Sequence, residues 1–116
     1  MSVQLTKDEA KKSKTVLRIL DALTRVSGET QVHSYAVFIY VAQNAGCSVQ
    51  DVAERFGFAI STASRNVALL SAEKKYKVPG LGLVVNDTDP MDRRRRVLTL
   101  TQKGRALVRE LLDIVE

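Results

Sequence analysis

The 116-residue sequence predicts a mainly α-helical fold with one small β-hairpin. Two observations support this fold class. Five stretches repeat apolar residues at the helical spacing of three and four, and several of them end at a glycine. One further stretch contains two β-prone runs on either side of a turn-rich segment, which is typical of a hairpin.

The first helix is predicted over residues 6–26. Thr6 and Glu9 have the spacing of a capping box, in which each side chain satisfies a free backbone N–H near the other. The polar first half is expected at the surface and the second half in the core. The apolar stripe of this helix is Val16, Ile19, Leu20, Leu23 and Val26.

The second helix is predicted over residues 31–45, with Thr30 as its cap. It is apolar nearly all round, which is typical of a helix buried on several sides. Its aromatic residues are therefore expected in the core: Tyr35, Phe38 and Tyr40. A last helix is predicted over residues 101–116, with an apolar side formed by Ala106, Leu107, Leu111, Ile114 and Val115.

Two closely spaced helices lie between these elements. A short helix over 49–56 has Ser48 and Asp51 as its capping pair and Gly57 where a left-handed terminal residue is needed. The next helix, predicted over 60–75, begins only about three residues later. Its buried face is Ala63, Val67 and Leu70. Such a pair indicates a helix-turn-helix over about 48–75.

The hairpin follows directly. Its β-prone runs, 83–85 and 97–100, flank the turn-rich residues 86–92, and four consecutive arginines come next. We expect a wing over about 82–100, of two or three strands, with a charged tip. One domain of 116 residues is therefore predicted to be a winged helix-turn-helix.

Most of the net charge of +5 lies near this hairpin: residues 89–105 hold six basic and two acidic side chains. Adjacent arginines repel one another unless an anionic partner is present, and a narrow DNA minor groove attracts inserted arginine. Asp92 is suited to hold one arginine in a fixed rotamer. The alternative is an exposed strand that uses charge to block edge pairing, for which one or two charges would be enough.

The helix after the turn carries the side chains suited to DNA. Its serine and threonine hydroxyls donate to phosphates or base edges, and Arg65 is long enough to contact a guanine. The alternative is a surface helix whose first turn is polar for capping alone. The predicted DNA contacts are Ser61, Thr62, Ser64, Arg65, Asn66, Arg93, Arg94, Arg95 and Arg96, with Asp92 supporting the wing.

Other classes of function have little support. One Cys and one His exclude Cys-based zinc clusters and His-rich sites, and no nucleophile lies in a catalytic pattern. We therefore expect no enzyme activity, metal or cofactor. No apolar run approaches the ~18 residues of a membrane span, so a cytoplasmic protein without a membrane partner is expected. Cys47 is interpreted as a small, partly buried turn residue and His33 as a surface residue.

Several motifs together resemble the MarR family of winged helix-turn-helix regulators. They are Phe56-Gly57-Phe58 with Ser61-Thr62-Ala63-Ser64-Arg65, then Asp89-Pro90-Met91-Asp92-Arg93-Arg94, then Leu98-Thr99-Leu100-Thr101-Gln102-Lys103-Gly104. The wing segment is the most specific part. The resemblance covers roughly residues 30–110.

The resemblance implies a homodimer, formed by the N- and C-terminal helices, that binds a pseudo-palindromic DNA duplex, usually for repression. The fourth helix would enter the major groove, and the wing would insert Arg94, supported by Asp92, into the minor groove. In that family small ligands often bind between the dimerisation helices and the DNA-binding part, so a small-molecule effector stays open as a partner. Some members also use a cysteine as a redox sensor, which is the alternative interpretation of Cys47.

Three features depart from the family pattern. Ala59 and Ile60 stand where a polar cap is usual, and the connection from Leu70 to the wing is longer. The extra C-terminal helix of the family is not expected here, since the last predicted helix ends at residue 116. A protein-interaction module on the same scaffold is the second hypothesis, because the outward positions Ala68, Leu69 and Ala72 are apolar.

Overall fold

The computed structural model describes residues 3–75 and 78–115, and it confirms the mainly α-helical winged fold. Its elements in chain order are α1 (Lys7–Val26), α2 (Val32–Gln43), α3 (Val49–Phe56), α4 (Ile60–Leu70), β1 (Glu73–Lys75), β2 (Val78–Pro79), β3 (Val84–Asp89), β4 (Asp92–Leu100) and α5 (Gln102–Val115). Residues 76 and 77 of the connection before the wing and residue 116 of the predicted last helix lie outside the described part of the chain.

One core joins α2, α3, α4, α5 and the base of the β3–β4 hairpin. Its largest fully buried side chains are Phe38, Leu70, Leu83, Leu98, Val37, Val41, Val52, Val67 and Val84. Gly104 on α5 lies against the backbone of Leu83, where a Cβ atom would collide with the carbonyl oxygen. Glycine is therefore needed for α5 to pack this closely on the base of the hairpin.

Local capping sets the predicted helix starts. Thr6 and Glu9 form the capping box of α1, and Ser48 and Asp51 form that of α3. The backbone N–H of Ser48, followed by its hydroxyl, holds the pKa of Asp51 below its usual value. Gly57 ends α3 in the left-handed conformation with φ 70°, which fixes the sharp turn into α4.

The start of α2 corrects one expectation. The N-cap is Gln31 rather than Thr30, no side chain caps the helix, and α2 spans 32–43 rather than 31–45. Tyr35 and Phe38 are buried as predicted, whereas Tyr40 is half-buried. The Tyr35 hydroxyl donates to the carbonyls of Leu23 and Ser27, so α2 is tied to the end of α1 by the tertiary contact of a side chain.

The end of α4 corrects a second expectation. The helix was predicted to run to residue 75 but ends at Leu70, and residues 73–75 form a strand that pairs with β2. The carbonyls of Leu69 and Leu70 accept hydrogen bonds from the N–H groups of Leu81 and Leu83, at 2.8 and 2.7 Å. The returning chain thus satisfies the last carbonyls of α4 in place of another helical turn.

The wing lies where it was predicted, but its strands are longer than the predicted β-prone runs. β3 and β4 pair from Val84–Leu100 to Asp89–Asp92, so only Pro90 and Met91 form the turn, and the expected loop over 86–92 is mostly strand. A single bridge between Cys47 and Leu98 adds the start of a third strand at the base. The wing is therefore a two-stranded hairpin, held against the α2–α3 connection by this bridge.

The terminal helices α1 and α5 pack against each other, but much of their apolar surface is uncovered. Of the predicted α1 stripe, Val16 and Leu20 are exposed, and of the predicted α5 side, Ala106 and Val115 are exposed. Ala22 is the buried residue of α1, and Leu107, Leu111 and Ile114 are the predicted α5 residues that reach the core.

Candidate nucleic-acid interface

The outward face of α4 is polar at its start. Because Ala63, Asn66, Val67 and Leu70 are buried at helical spacing, the opposite side of the first turns of α4 faces away from the core. Ser61, Ser64 and Arg65 are exposed, and Thr62 is half-buried. The structure thus leaves four of the predicted DNA-contacting residues accessible at the start of α4, with three short hydroxyl side chains beside the long Arg65 side chain.

Asn66 does not belong to this surface, which corrects the prediction for that residue. It is buried, its Oδ1 accepts a hydrogen bond from Ser34 Oγ at 2.6 Å, and its Nδ2 donates to the Thr62 carbonyl at 2.9 Å. Its amide is therefore engaged inside the protein. Sequence reasoning missed Ser34, although a serine within the otherwise apolar α2 was a signal for a buried polar partner.

The N-terminus of α4 has no side-chain cap. Ala59 occupies the N-cap position in an extended conformation, φ −63° and ψ 151°, and makes no side-chain capping bond. The following Ile60 is exposed. The first backbone N–H groups of α4 therefore have no side-chain cap.

Replacing Ala59 with threonine is expected to stabilise the fold by about 1 kcal/mol, because the hydroxyl accepts a bond from a free amide of α4. The melting temperature should rise by about 4 °C. Valine at the same position has the same shape without the hydroxyl and is the matched control. Equal melting temperatures for the two variants would show that capping is not the cause.

At the tip of the wing, three arginines of β4 have no paired residue on β3. Thr88 pairs with Arg96, whereas the next residue, Asp89, pairs with Asp92, so Arg93–Arg95 have no place in the register. All three are exposed. A bulge of this kind bends the strand and redirects its side chains. The result is a cluster of positive charge that projects from the end of the hairpin.

Asp92 contacts Arg94, which is the pair that the family resemblance implied. Its Oδ1 accepts a hydrogen bond from the Arg94 backbone N–H at 3.0 Å and lies 3.5 Å from the Arg94 Nε. The Arg94 side chain is nevertheless 94% exposed. The guanidinium is thus oriented from one side by Asp92, while its NH2 groups face solvent.

The last two arginines are held closer to the body of the protein. Arg96 Nη2 donates to the Asn86 carbonyl at 2.6 Å, and Arg95 Nη2 lies 3.5 Å from the Gly46 carbonyl. The four wing arginines therefore differ: Arg95 and Arg96 contact backbone carbonyls of the protein, whereas the Arg94 side chain contacts only the neighbouring Asp92. Sequence reasoning missed Asn86, because a hydrogen-bond partner on the facing strand depends on the register.

Cys47 is buried, and its backbone bridges to Leu98 at the base of the wing. Burial raises the pKa of its thiol, and the nearby Asp51 carboxylate raises it further. The neutral thiol is a poor nucleophile. This placement is that of the small turn residue predicted from the sequence, rather than that of a reactive sensor.

Cys47 is expected to react with an aromatic disulfide reagent at least about 100-fold more slowly in the folded protein than in denaturant, because the thiol is both neutral and covered. The absorbance of the released aromatic thiolate, recorded for both states at about pH 7.5, roughly one unit below the ordinary pKa of a thiol, measures both rates. Equal rates in the two states would contradict the assignment.

Within the described residues, no helix is both long and apolar enough to cross a membrane. In the same part of the chain, no three His, Cys, Asp or Glu side chains lie together as a metal site would require. His33 is exposed, with its ring edge-on to Phe58 at a centroid distance of 5.6 Å.

Solved structures resemble the whole arrangement. A MarR-like transcriptional regulator from Thermotoga maritima has a TM-score of 0.67 at 26% identity, over 97% of this chain and 77% of that chain. CouR from Rhodococcus jostii RHA1, bound to p-coumaroyl-CoA, has a TM-score of 0.64 at 26% identity, over 91% and 68%. The PcaV regulator from Streptomyces coelicolor has a TM-score of 0.59 at 28% identity, over 95% and 76%.

No protein-family model matches the chain, and no curated protein matches it at the significance required. The similarity to solved structures therefore indicates the class of protein to which this chain is related. It shows that the chain has the MarR-like winged-helix fold and confirms the resemblance seen in the sequence motifs. It supports a DNA-binding regulator as the class of protein.

Proposed function

We propose that this protein is a sequence-specific double-stranded DNA-binding transcriptional regulator that acts as a repressor. The observation that carries the proposal is the wing tip, where Arg93 and Arg94 project from a bulge and Asp92 orients Arg94. A hairpin that concentrates exposed arginine beside a helix-turn-helix is suited to an anionic partner of defined shape. Duplex DNA is such a partner.

In this proposal the start of α4 enters the major groove. Arg65 donates two hydrogen bonds to a guanine, and Ser61, Thr62 and Ser64 contact phosphates or neighbouring base edges. The burial of Ala63 and Val67 supports this assignment, because it holds α4 with these four side chains outward. Asn66 is not part of the contact set.

The wing enters the adjacent minor groove. Arg94 is inserted, since its guanidinium is exposed and already restricted by Asp92, which lowers the entropy lost on binding. Arg93 contacts the phosphates. Arg95 and Arg96 hold the hairpin in place through Gly46 and Asn86, and they add positive charge without leaving those contacts.

The repressor acts as a homodimer through α1 and α5. Leu17, Leu20 and Leu112 are 59%, 48% and 58% exposed, and they lie on the two terminal helices that pack together. Leucines of this exposure on adjacent helices indicate a surface that is covered in an assembly. A symmetric dimer would present two copies of α4 and the wing to two half-sites.

The second hypothesis, a protein-interaction module, loses support from the structure. It rested on Ala68, Leu69 and Ala72, of which Ala68 and Leu69 are half-buried. The chain after β2 covers this end of α4, through the hydrogen bond from Leu81 N–H to the Leu69 carbonyl. Ala72 is the exposed residue of the three, so the exposed apolar surface there is smaller than the sequence predicted.

Binding to a mixed-sequence duplex at increasing salt tests the proposal. Fluorescence anisotropy should show tight binding at about 50 mM salt and a linear fall of log K with log salt, because each neutralised phosphate releases counterions. The single strand of the same sequence is the control and should bind more weakly. Absence of duplex binding at low salt would favour the interaction module.

A further inference from the structure

A buried polar pair joins α2 to α4. Ser34 and Asn66 are 3% and 6% exposed, and they are the two polar residues buried in the described part of the chain. Ser34 Oγ donates to Asn66 Oδ1 at 2.6 Å, and Asn66 Nδ2 donates to the Thr62 carbonyl at 2.9 Å. The Ser34 side chain on α2 is thus linked, through the side-chain amide of Asn66, to the Thr62 carbonyl in the first turn of α4.

Stability alone does not account for this pair. Both residues lie on faces that are otherwise apolar, with Val37 and Phe38 on α2 and Ala63 and Val67 on α4. Exchanging both partners of a buried hydrogen bond for apolar groups is often neutral or stabilising. A hydrogen bond differs from an apolar contact because it is satisfied only within a narrow range of distances and angles.

We propose that Ser34 and Asn66 are positioning residues that fix the rotation of α4 about its own axis, and thereby the base preference of its outward face. This inference rests on the proposed DNA-binding function. Rotation of α4 in either direction would lengthen the Ser34–Asn66 bond and leave two buried polar atoms unpaired. An apolar interface at the same place would allow neighbouring rotations at little cost.

The residues that would move are those that contact DNA. Arg65 directly precedes Asn66, and Thr62 supplies the carbonyl that Asn66 binds. At a side-chain radius of about 5–6 Å, a rotation of about 10° displaces an outward atom by about 1 Å. Contacts of this kind need to be held to about 0.5 Å to be selective. The wing arginines lie on β4, a separate element, and would be displaced less than Arg65.

The test compares the wild-type protein with Ser34→Ala, Asn66→Leu and the double variant. The two readouts are the denaturant midpoint and the ratio of affinities for a duplex selected by the wild-type protein and a scrambled duplex. We expect each single change to lower the midpoint, because one buried polar group loses its partner, and the double variant to recover it. The double variant should lose about 10-fold in the affinity ratio, while its affinity for the scrambled duplex stays unchanged.

Leu70→Met is the matched control, because it alters the same buried face of α4 at nearly constant volume and without a polar group. It should keep the wild-type affinity ratio. A stable double variant with an unchanged ratio would overturn the inference, as would a double variant less stable than both singles. If the wild-type protein itself prefers no selected duplex, the proposed function fails and the inference fails with it.

Discussion

Replacing Arg94 with alanine is expected to abolish tight DNA binding while leaving the fold intact. The Arg94 side chain is 94% exposed and contacts Asp92, so its removal creates no cavity. Loss of one specific arginine contact costs about 2 kcal/mol, or about 30-fold in affinity. In a symmetric dimer the loss occurs at both half-sites and approaches about 1,000-fold. Anisotropy with the selected duplex measures the affinity, and circular dichroism checks the fold.

Arg96→Ala is the control for charge, since it removes the same charge from the same strand. Its guanidinium already donates to the Asn86 carbonyl at 2.6 Å, so it is less free to contact DNA. We expect a loss about ten times smaller than for Arg94, together with a lower melting temperature. Similar losses for the two variants would mean that the wing contributes only general charge.

Replacing Leu20 with aspartate is expected to separate the dimer. Leu20 is 48% exposed on α1, near the exposed Leu17, so the variant monomer should fold normally. A charge placed in an apolar interface has no partner and opposes association strongly. Because a dimer engages two half-sites at once, its loss should weaken operator binding by about 100-fold or more. Sedimentation velocity measures the assembly, and anisotropy measures the affinity.

Gly28→Asp is the matched control, because it adds the same charge in the exposed turn after α1. A Cβ atom there meets Thr24 Cγ2 at 3.7 Å, an ordinary contact, and the backbone needs no glycine. This variant should stay dimeric. A Leu20→Asp protein that sediments as a dimer and keeps its affinity would show that α1 is not in the interface.

The helix-turn-helix was predictable because its signals are local. Ser48 and Asp51 cap α3 from three residues apart, and Gly57 supplies the left-handed turn without help from the rest of the chain. Local signals did not predict the structure where segments that are distant in sequence meet. The end of α4 depends on hydrogen bonds from Leu81 and Leu83, which residues 71–75 do not reveal.

In the candidate site, too, the features that were not predicted depend on segments that are distant in sequence. The bulge at Arg93–Arg95 and the contact from Arg96 to Asn86 both depend on the strand register, which extends the ladder into residues with turn composition. Asn66 lies beside polar neighbours on α4, and its partner Ser34 is 32 positions away. The apolar stripe of α1 was visible in the sequence, but an apolar periodicity does not distinguish the core from an interface.

Selection of duplexes from a random pool, followed by the mass of the complex in solution, tests the central claim most directly. The account predicts a pseudo-palindromic motif with half-sites about 10 base pairs apart or a multiple of that distance, bound by two protomers. Guanine should recur at the position opposite Arg65, and A·T-rich flanks should recur opposite the wings. Recovery of no shared motif, with binding that depends only on salt, would contradict it.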